Sequence, residues 1–187
     1  MKLRYVLILL APMLASLTGL AAELSGSRGI WLSNAEGERQ RIGTIVFTPE
    51  AAGRTRFSIA MAETLEEYFL AMRPFRCLTG PRQRLCHFPV EREAQLISAD
   101  DLVPLEYALL FMRTAPKSLH IDPFNGLYYR MELTGRGGIV GRLHDVDMDP
   151  FITPDSVPVE RRLRPIRAAD LTPGDPRSHW LPILTIE

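Results

Sequence analysis

The segment LYYRMELTGRGGIVGRLHDVDM, residues 127–148, decides the fold class. In its first half every second side chain is large and apolar, and the positions between are mostly polar. The apolar positions are Leu127, Tyr129, Met131 and Leu133. This period of two is typical of a strand with one buried face. The Gly-rich residues 134–138 predict a turn, and residues 139–148 return as a second strand. The segment is therefore predicted to be a β-hairpin.

Strand patterns also occur nearer the N-terminus. Residues 29–32 form a short apolar run, and residues 42–48 are rich in β-branched side chains and end at Pro49. Residues 54–61 alternate again, with Phe57 and Ile59 on one face. Together with the hairpin, these segments predict a mainly β (α+β) chain, built as an antiparallel sheet or a partly closed β-barrel.

One segment favours an α-helix, at about 98–114. Ser98 can act as N-cap with Asp101 three residues later, and Pro116 follows the end. Apolar side chains recur between them at helical spacing: Leu102, Leu105, Leu109 and Leu110. We expect this helix to cover one face or end of the sheet.

Residues 65–72 are ambiguous. Leu65, Tyr68, Phe69 and Met72 match the spacing of a helical stripe. The same residues lead directly into an apolar and basic segment that ends at Cys77. A short helix or turn followed by a strand is therefore predicted.

The two cysteines predict one disulfide bond. Cys77 and Cys86 flank the turn dipeptide Gly80-Pro81, so a bond between them would join the strands of a hairpin. The alternative is a reactive Cys86 activated by His87. Adjacent strand residues point to opposite faces, which makes this neighbour poorly placed for activation.

The N-terminus resembles a secretory signal. Lys2 and Arg4 precede an apolar run over residues 5–20, and small residues follow at Ala21 and Ala22. We expect residues 1–22 to be removed on export by the general secretory route. The alternative is an uncleaved N-terminal anchor. Residues 23–187 are predicted to form a single β-rich domain with no stable membrane insertion after cleavage.

Prolines recur through the C-terminal part of the chain. They stand at positions 150, 154, 158, 165, 173, 176 and 182. Because proline has a fixed φ and no N–H donor, we expect residues 150–187 to be an extended tail packed on the domain.

Composition excludes some function classes. The 22 basic and 22 acidic side chains balance, and loss of Lys2 and Arg4 would leave a slightly acidic protein. This argues against a general binder of nucleic acid or of anionic membranes. The chain contains no phosphate loop, dinucleotide fingerprint or Gly-x-Ser-x-Gly motif, so we predict no cofactor and assign no catalytic residue.

Three aspartates form the most suggestive local pattern. Asp145, Asp147 and Asp149 would share one face of a strand, and their oxygens could bind a hard cation such as Ca²⁺. They do not form an EF-hand loop, because Pro150 occupies the position that needs glycine. A solvated strand face, or pairing with arginines, is the alternative.

Aromatic and arginine side chains cluster around two of the predicted strands. Arg73, Arg76, Tyr128 and Arg130 could line a groove for an anionic or sugar ligand. Core packing and surface ion pairs are the alternative explanation of both clusters.

Four segments carry a family resemblance: MRPFRCL at 72–78, CHFP at 86–89, LEYALLF at 105–111 and NGLYY at 125–129. They resemble a family of uncharacterised exported proteins of Gram-negative bacteria. The resemblance implies a periplasmic location and carries no activity or functional residues. The opening Gly29-Ile30-Trp31 is similar to that of lipocalin-like barrels.

Three functions follow as hypotheses. The first is a non-enzymatic periplasmic module that binds an unknown small ligand or an envelope protein. The second is a periplasmic hydrolase that uses His144, Asp145 and Asp147. The third is a structural protein stabilised by Ca²⁺.

Overall fold

A computed structural model describes residues 24–90, 95–135, 137–148 and 166–187. Within these ranges the chain forms one antiparallel β-sheet that curves into a half-barrel, and a single short α-helix accompanies it. The predicted mainly β class is therefore confirmed.

The strands and the helix follow one another along the chain. They are β1 (Gly26–Ser33), β2 (Arg39–Pro49), β3 (Arg54–Met61), β4 (Glu66–Leu70), β5 (Arg73–Thr79), β6 (Arg84–His87), β7 (Leu96–Ser98), α1 (Val103–Ala108), β8 (Phe111–Thr114), β9 (Gly126–Leu133), β10 (Ile139–Val146), β11 (Leu171–Pro173) and β12 (Ile183–Ile186). In the sheet their order is β4-β5-β6-β8-β9-β10-β12-β1-β2-β3-β7, with β11 paired to β10.

The half-barrel encloses the main hydrophobic core. Alternate residues of each strand point inward, so that Ile30 and Leu32 on β1 meet Leu184 and Ile186 on β12, and all four are fully buried. The predicted hairpin is present, because β9 pairs with β10 from Gly126–Val146 to Leu133–Ile139. Helix α1 contacts both β7 and β9, and so covers the open side of the sheet.

The helix is much shorter than the predicted 98–114. It spans Val103–Ala108, while Ser98 belongs to β7 and Phe111–Thr114 forms β8. As part of β8, Phe111 lies opposite His87 of β6 and Leu127 of β9 and is fully buried. The predicted cap is also different, because the Asp101 carboxylate, and not Ser98, accepts the Val103 N–H at 3.0 Å.

The ambiguous residues 65–72 contain no helix. Glu66–Leu70 is strand β4, paired with β5 so that Tyr68 lies opposite Phe75 and Leu70 opposite Arg73. Of the predicted short helix or turn followed by a strand, the helix is absent, while a turn at Ala71 and Met72 does precede strand β5. Tertiary pairing overrides the local helical spacing, since the strand buries Leu70 against a second, smaller core.

The predicted disulfide is confirmed. Cys77 lies directly opposite Cys86 in the β5–β6 pair, and the Cα atoms are 4.1 Å apart. The turn forms at the predicted place, with the Gly80 N–H donating to the Gln83 carbonyl at 2.9 Å. The Trp180 ring covers Gly80 so closely that a Cβ there would stand 2.5 Å from ring atoms, and only glycine fits.

The end of the proline-rich tail is part of the sheet. β11 lies along β10, and β12 is inserted between β10 and β1. Residues 149–165 lie outside the described ranges, as does the predicted signal peptide at 1–22. None of the helices in the described ranges is long and apolar enough to cross a bilayer.

Candidate functional site

An open groove lies between α1 and β9, with a volume of about 420 Å³. Its walls come from the turn before α1, from the helix itself and from the end of β9. The residues that line it are Ala99, Asp100, Asp101, Leu102, Val103, Glu106, Arg130, Met131, Glu132 and Leu133.

Glu106 joins the two sides of the groove, because its side chain on α1 is hydrogen-bonded to β9. β8 pairs only with Gly126 and Leu127 of β9, so beyond them the β9 edge faces α1. The buried Glu106 carboxylate accepts the Met131 N–H at 2.6 Å and also accepts the Tyr128 hydroxyl. This carboxylate therefore takes the place of a neighbouring strand, since it satisfies a main-chain donor that would otherwise be buried alone.

Burial raises the pKa of Glu106 above its ordinary value. The bonds from Met131 and Tyr128 and the nearby Arg130 guanidinium oppose part of this effect. Burial and the adjacent Glu106 carboxylate raise the pKa of Tyr128, so this phenol keeps its proton and acts as a donor. A carboxyl group with a raised pKa beside an open groove is a physical marker of a binding or reactive site.

The charge of the groove is mainly negative. Three exposed acids, Asp100, Asp101 and Glu132, surround the buried Glu106, and Arg130 is the cation among the lining residues. Apolar side chains complete the walls: Leu102, Val103, Met131 and Leu133. This combination suits a ligand that carries a positive charge next to an apolar part.

The four predicted ligand-binding residues separate into two pairs. Arg130 lines the groove, and Tyr128 lies beneath it with its hydroxyl committed to Glu106. Arg73 and Arg76 are on β5, which β6 and β8 separate from β9 in the sheet. Arg76 forms an exposed ion pair with Glu67 at 3.5 Å. The fold thus does not bring the four residues to one place.

Asp145, in the predicted aspartate site, lies next to a histidine and an arginine. The Asp145 carboxylate lies 3.0 Å from His179 Nε2 and 3.7 Å from Arg113 Nε. Asp147 is exposed just after β10, and Asp149 lies outside the described residues. Within the described ranges no group of three or more His, Cys, Asp or Glu side chains could hold a metal ion. The calcium site remains a prediction.

The hydrolase hypothesis paired His144 with Asp145. These neighbours on β10 point to opposite faces, and the His144 ring contacts the Arg142 carbonyl at 3.0 Å. The imidazole that does meet Asp145 is the buried His179. The nearby Ser178 hydroxyl donates to the Asp175 carbonyl. The contacts around His179 and Asp145 therefore attach the loop before β12 to β10.

The sequence interpretation missed Glu106 and His179. Glu106 stands within the apolar segment LEYALLF, and an acid in such a segment is the one local signal that marks it. His179 has no local signal, because it reaches Asp145 across 34 residues of chain.

Comparison of this chain with protein-family models, with curated proteins and with solved structures finds no match. The resemblance to exported proteins and the lipocalin-like opening therefore remain predictions.

Proposed function

We propose that the protein is an exported, non-enzymatic binding module of the periplasm, and that the α1–β9 groove takes a cationic ligand with an apolar part. The observation that carries the proposal is the buried Glu106 carboxylate at an open groove whose rim is acidic. Export is supported by the predicted signal, and the Cys77–Cys86 disulfide fits an oxidising compartment.

The size of the groove fits a small ligand or a single side chain of a protein partner. Small-molecule sites typically enclose about 300–1,000 Å³, and this groove has about 420 Å³. An amine or guanidinium group would be attracted by Asp100 and Glu132 at the rim, while Leu102 and Met131 contact its apolar part. Arg130 would repel the cationic end of the ligand, so that this end is directed toward Asp100 and Glu132 and the ligand binds in one orientation.

Calorimetric titration with matched probes tests this charge preference. Benzylamine represents the cationic class, and benzyl alcohol and benzoate are the neutral and anionic controls of the same shape. An arginyl-leucine amide tests whether a basic segment of a protein partner binds in the same way. We expect binding of the cationic probes alone, weakened by salt because exposed charges are screened.

Variants localise the binding to the groove. Asp100→Asn and Glu132→Gln together should weaken the cationic probe at least several-fold, while Glu36→Gln, an exposed acid in the β1–β2 turn, should leave it unchanged. Preferential binding of benzoate, or equal losses in the control variant, would contradict the proposal.

Cell fractionation tests the compartment separately. A shortened chain with an intact disulfide in the periplasmic fraction supports export. A full-length chain in the cytoplasm, with both cysteines reduced, would contradict it even if the groove binds its probe.

A further inference from the structure

Large apolar side chains are exposed at one end of the part of the sheet that β4, β5 and β6 form. Phe69 and Met72, on the β4–β5 hairpin, are 64% and 83% exposed, and Leu119, in the loop after β8, is 77% exposed. The Ala71 N–H donates to the Leu119 carbonyl at 3.2 Å, which joins the loop to the hairpin. We call this surface the hairpin tip. It also includes Arg73, which directly follows the turn, and Lys117, which is in the same loop as Leu119.

The backbone turn presents Met72 outward at a conformational cost. Ala71 and Met72 both have positive φ values, 45° and 64°. Two-residue hairpin turns of this hand favour Asn-Gly, because other residues are strained there. Neither alanine at position 71 nor methionine at position 72 is a residue type that this turn favours. An exposed methionine kept in a strained turn therefore points to a role outside folding.

Positive charge accompanies the apolar side chains. Arg73 and Lys117 are both exposed, and among the described residues no carboxylate lies within ion-pair distance of either. The acids of the hairpin are at its other end, since Glu66 lies opposite Cys77 and Glu67 opposite Arg76. Cationic and apolar side chains together are typical of a surface that contacts anionic lipid.

We propose that the hairpin tip binds the surface of a membrane that contains anionic phospholipid. Phe69, Met72 and Leu119 enter the boundary between headgroups and acyl chains, and Arg73 and Lys117 contact lipid phosphates. This is reversible contact with one surface of the bilayer. It depends on two cations at the tip and not on the net charge of the chain, whose balance argues only against a general anionic-membrane binder. The site is independent of the α1–β9 groove, which lies on other elements.

A lipid surface fits the tip better than a second copy of the chain does. A symmetric contact between two copies would bring Arg73 and Lys117 of both tips into one interface, and neither tip supplies a carboxylate to pair with them. The tip is also the exposed turn of a hairpin, and a fluid bilayer accommodates such a shape without a matching cavity.

Vesicle co-sedimentation of the purified protein tests the proposal. The probes are vesicles of phosphatidylcholine alone and of phosphatidylcholine mixed with phosphatidylglycerol, at low and at physiological salt. We expect binding to the anionic vesicles that weakens with salt. Absence of binding to them at low salt, or equal binding to both compositions, would overturn the proposal.

One single and one double variant separate the apolar and the charged contributions. Met72→Ser should reduce partitioning roughly tenfold, and Arg73→Gln with Lys117→Gln should remove the salt dependence. Val46→Ser is the matched control, because Val46 is 43% exposed but lies on β2, away from the tip. An equal loss in this control, or a dimer that Met72→Ser dissolves, would overturn the proposal.

The groove variants Asp100→Asn and Glu132→Gln should bind vesicles as the wild type does. Failure of the tip and failure of the groove are therefore distinguishable, and unchanged melting temperatures confirm that each variant is folded.

Discussion

The half-barrel and the extension formed by β4, β5 and β6 belong to one sheet, but different interactions hold them. The half-barrel is filled by a large continuous core, with Ile30, Ile45 and Leu184 among its fully buried members. The extension rests on a small cluster made of Leu70, Phe75, Met112, Ile121 and the two cysteines.

The difference teaches how a small layer of structure remains ordered. A few apolar side chains bury little surface, so the extension gains its stability from a covalent link between adjacent strands. Phe69 and Met72 of the extension stay outside this small core, 64% and 83% exposed.

Truncation within the half-barrel should have the largest effect. Phe47, near the end of β2, is 2% exposed, and Phe47→Ala should lower the free energy of unfolding by about 3–5 kcal/mol, because a cavity remains. Urea denaturation measures this loss. Val46→Ala, on the exposed face of the same strand, should change it by less than about 0.5 kcal/mol. Similar losses in both variants would show that this core is not tightly packed.

Removal of the disulfide should have a smaller effect, concentrated in the extension. Cys77→Ala with Cys86→Ala should cost about 2.7 kcal/mol, since the link closes a short loop in the unfolded chain. Hydrogen exchange should accelerate in β4 to β6 and change less in β1 and β12. Reduction of the wild type should reproduce this pattern. Equal acceleration throughout the sheet would mean that the extension and the half-barrel unfold as one unit.

The open side of the half-barrel should respond to pH through Glu106. Because its pKa is raised in the fold, its contribution to stability is fully present below the ordinary value of 4.5 and is lost as pH rises through the folded pKa. The wild type should therefore lose stability relative to Glu106→Gln as pH rises, as measured by thermal unfolding. Glu132→Gln removes an exposed acid from the same groove and should not reproduce the trend. A difference constant with pH would contradict this account.

The smallest effect is expected at the turn of the extension. Ala71 has positive φ, so Ala71→Gly should stabilise the protein by about 0.5 kcal/mol, because relief of strain exceeds the added chain entropy. Ala60→Gly, in the interior of β3, should destabilise it by about 0.5–1 kcal/mol. The melting temperatures of the two variants should move in opposite directions. If both melting temperatures fell, the turn at Ala71 would not be strained.

The sequence by itself determined the features that depend on neighbouring residues. Alternation over residues 127–133 and the glycines that follow specify the β9–β10 hairpin, and Gly80-Pro81 between two cysteines specifies the disulfide hairpin. Side-chain period and turn chemistry are local properties, so they can be read without the fold.

Only the tertiary structure decided the rest. Residues 66–70 became a strand because β5 pairs with them, and residues 111–114 left the predicted helix because β6 and β9 lie beside them. Glu106 meets Met131, and His179 meets Asp145, across 25 and 34 residues of chain. Such contacts depend on where the sheet places distant segments, and no short-range pattern encodes that placement.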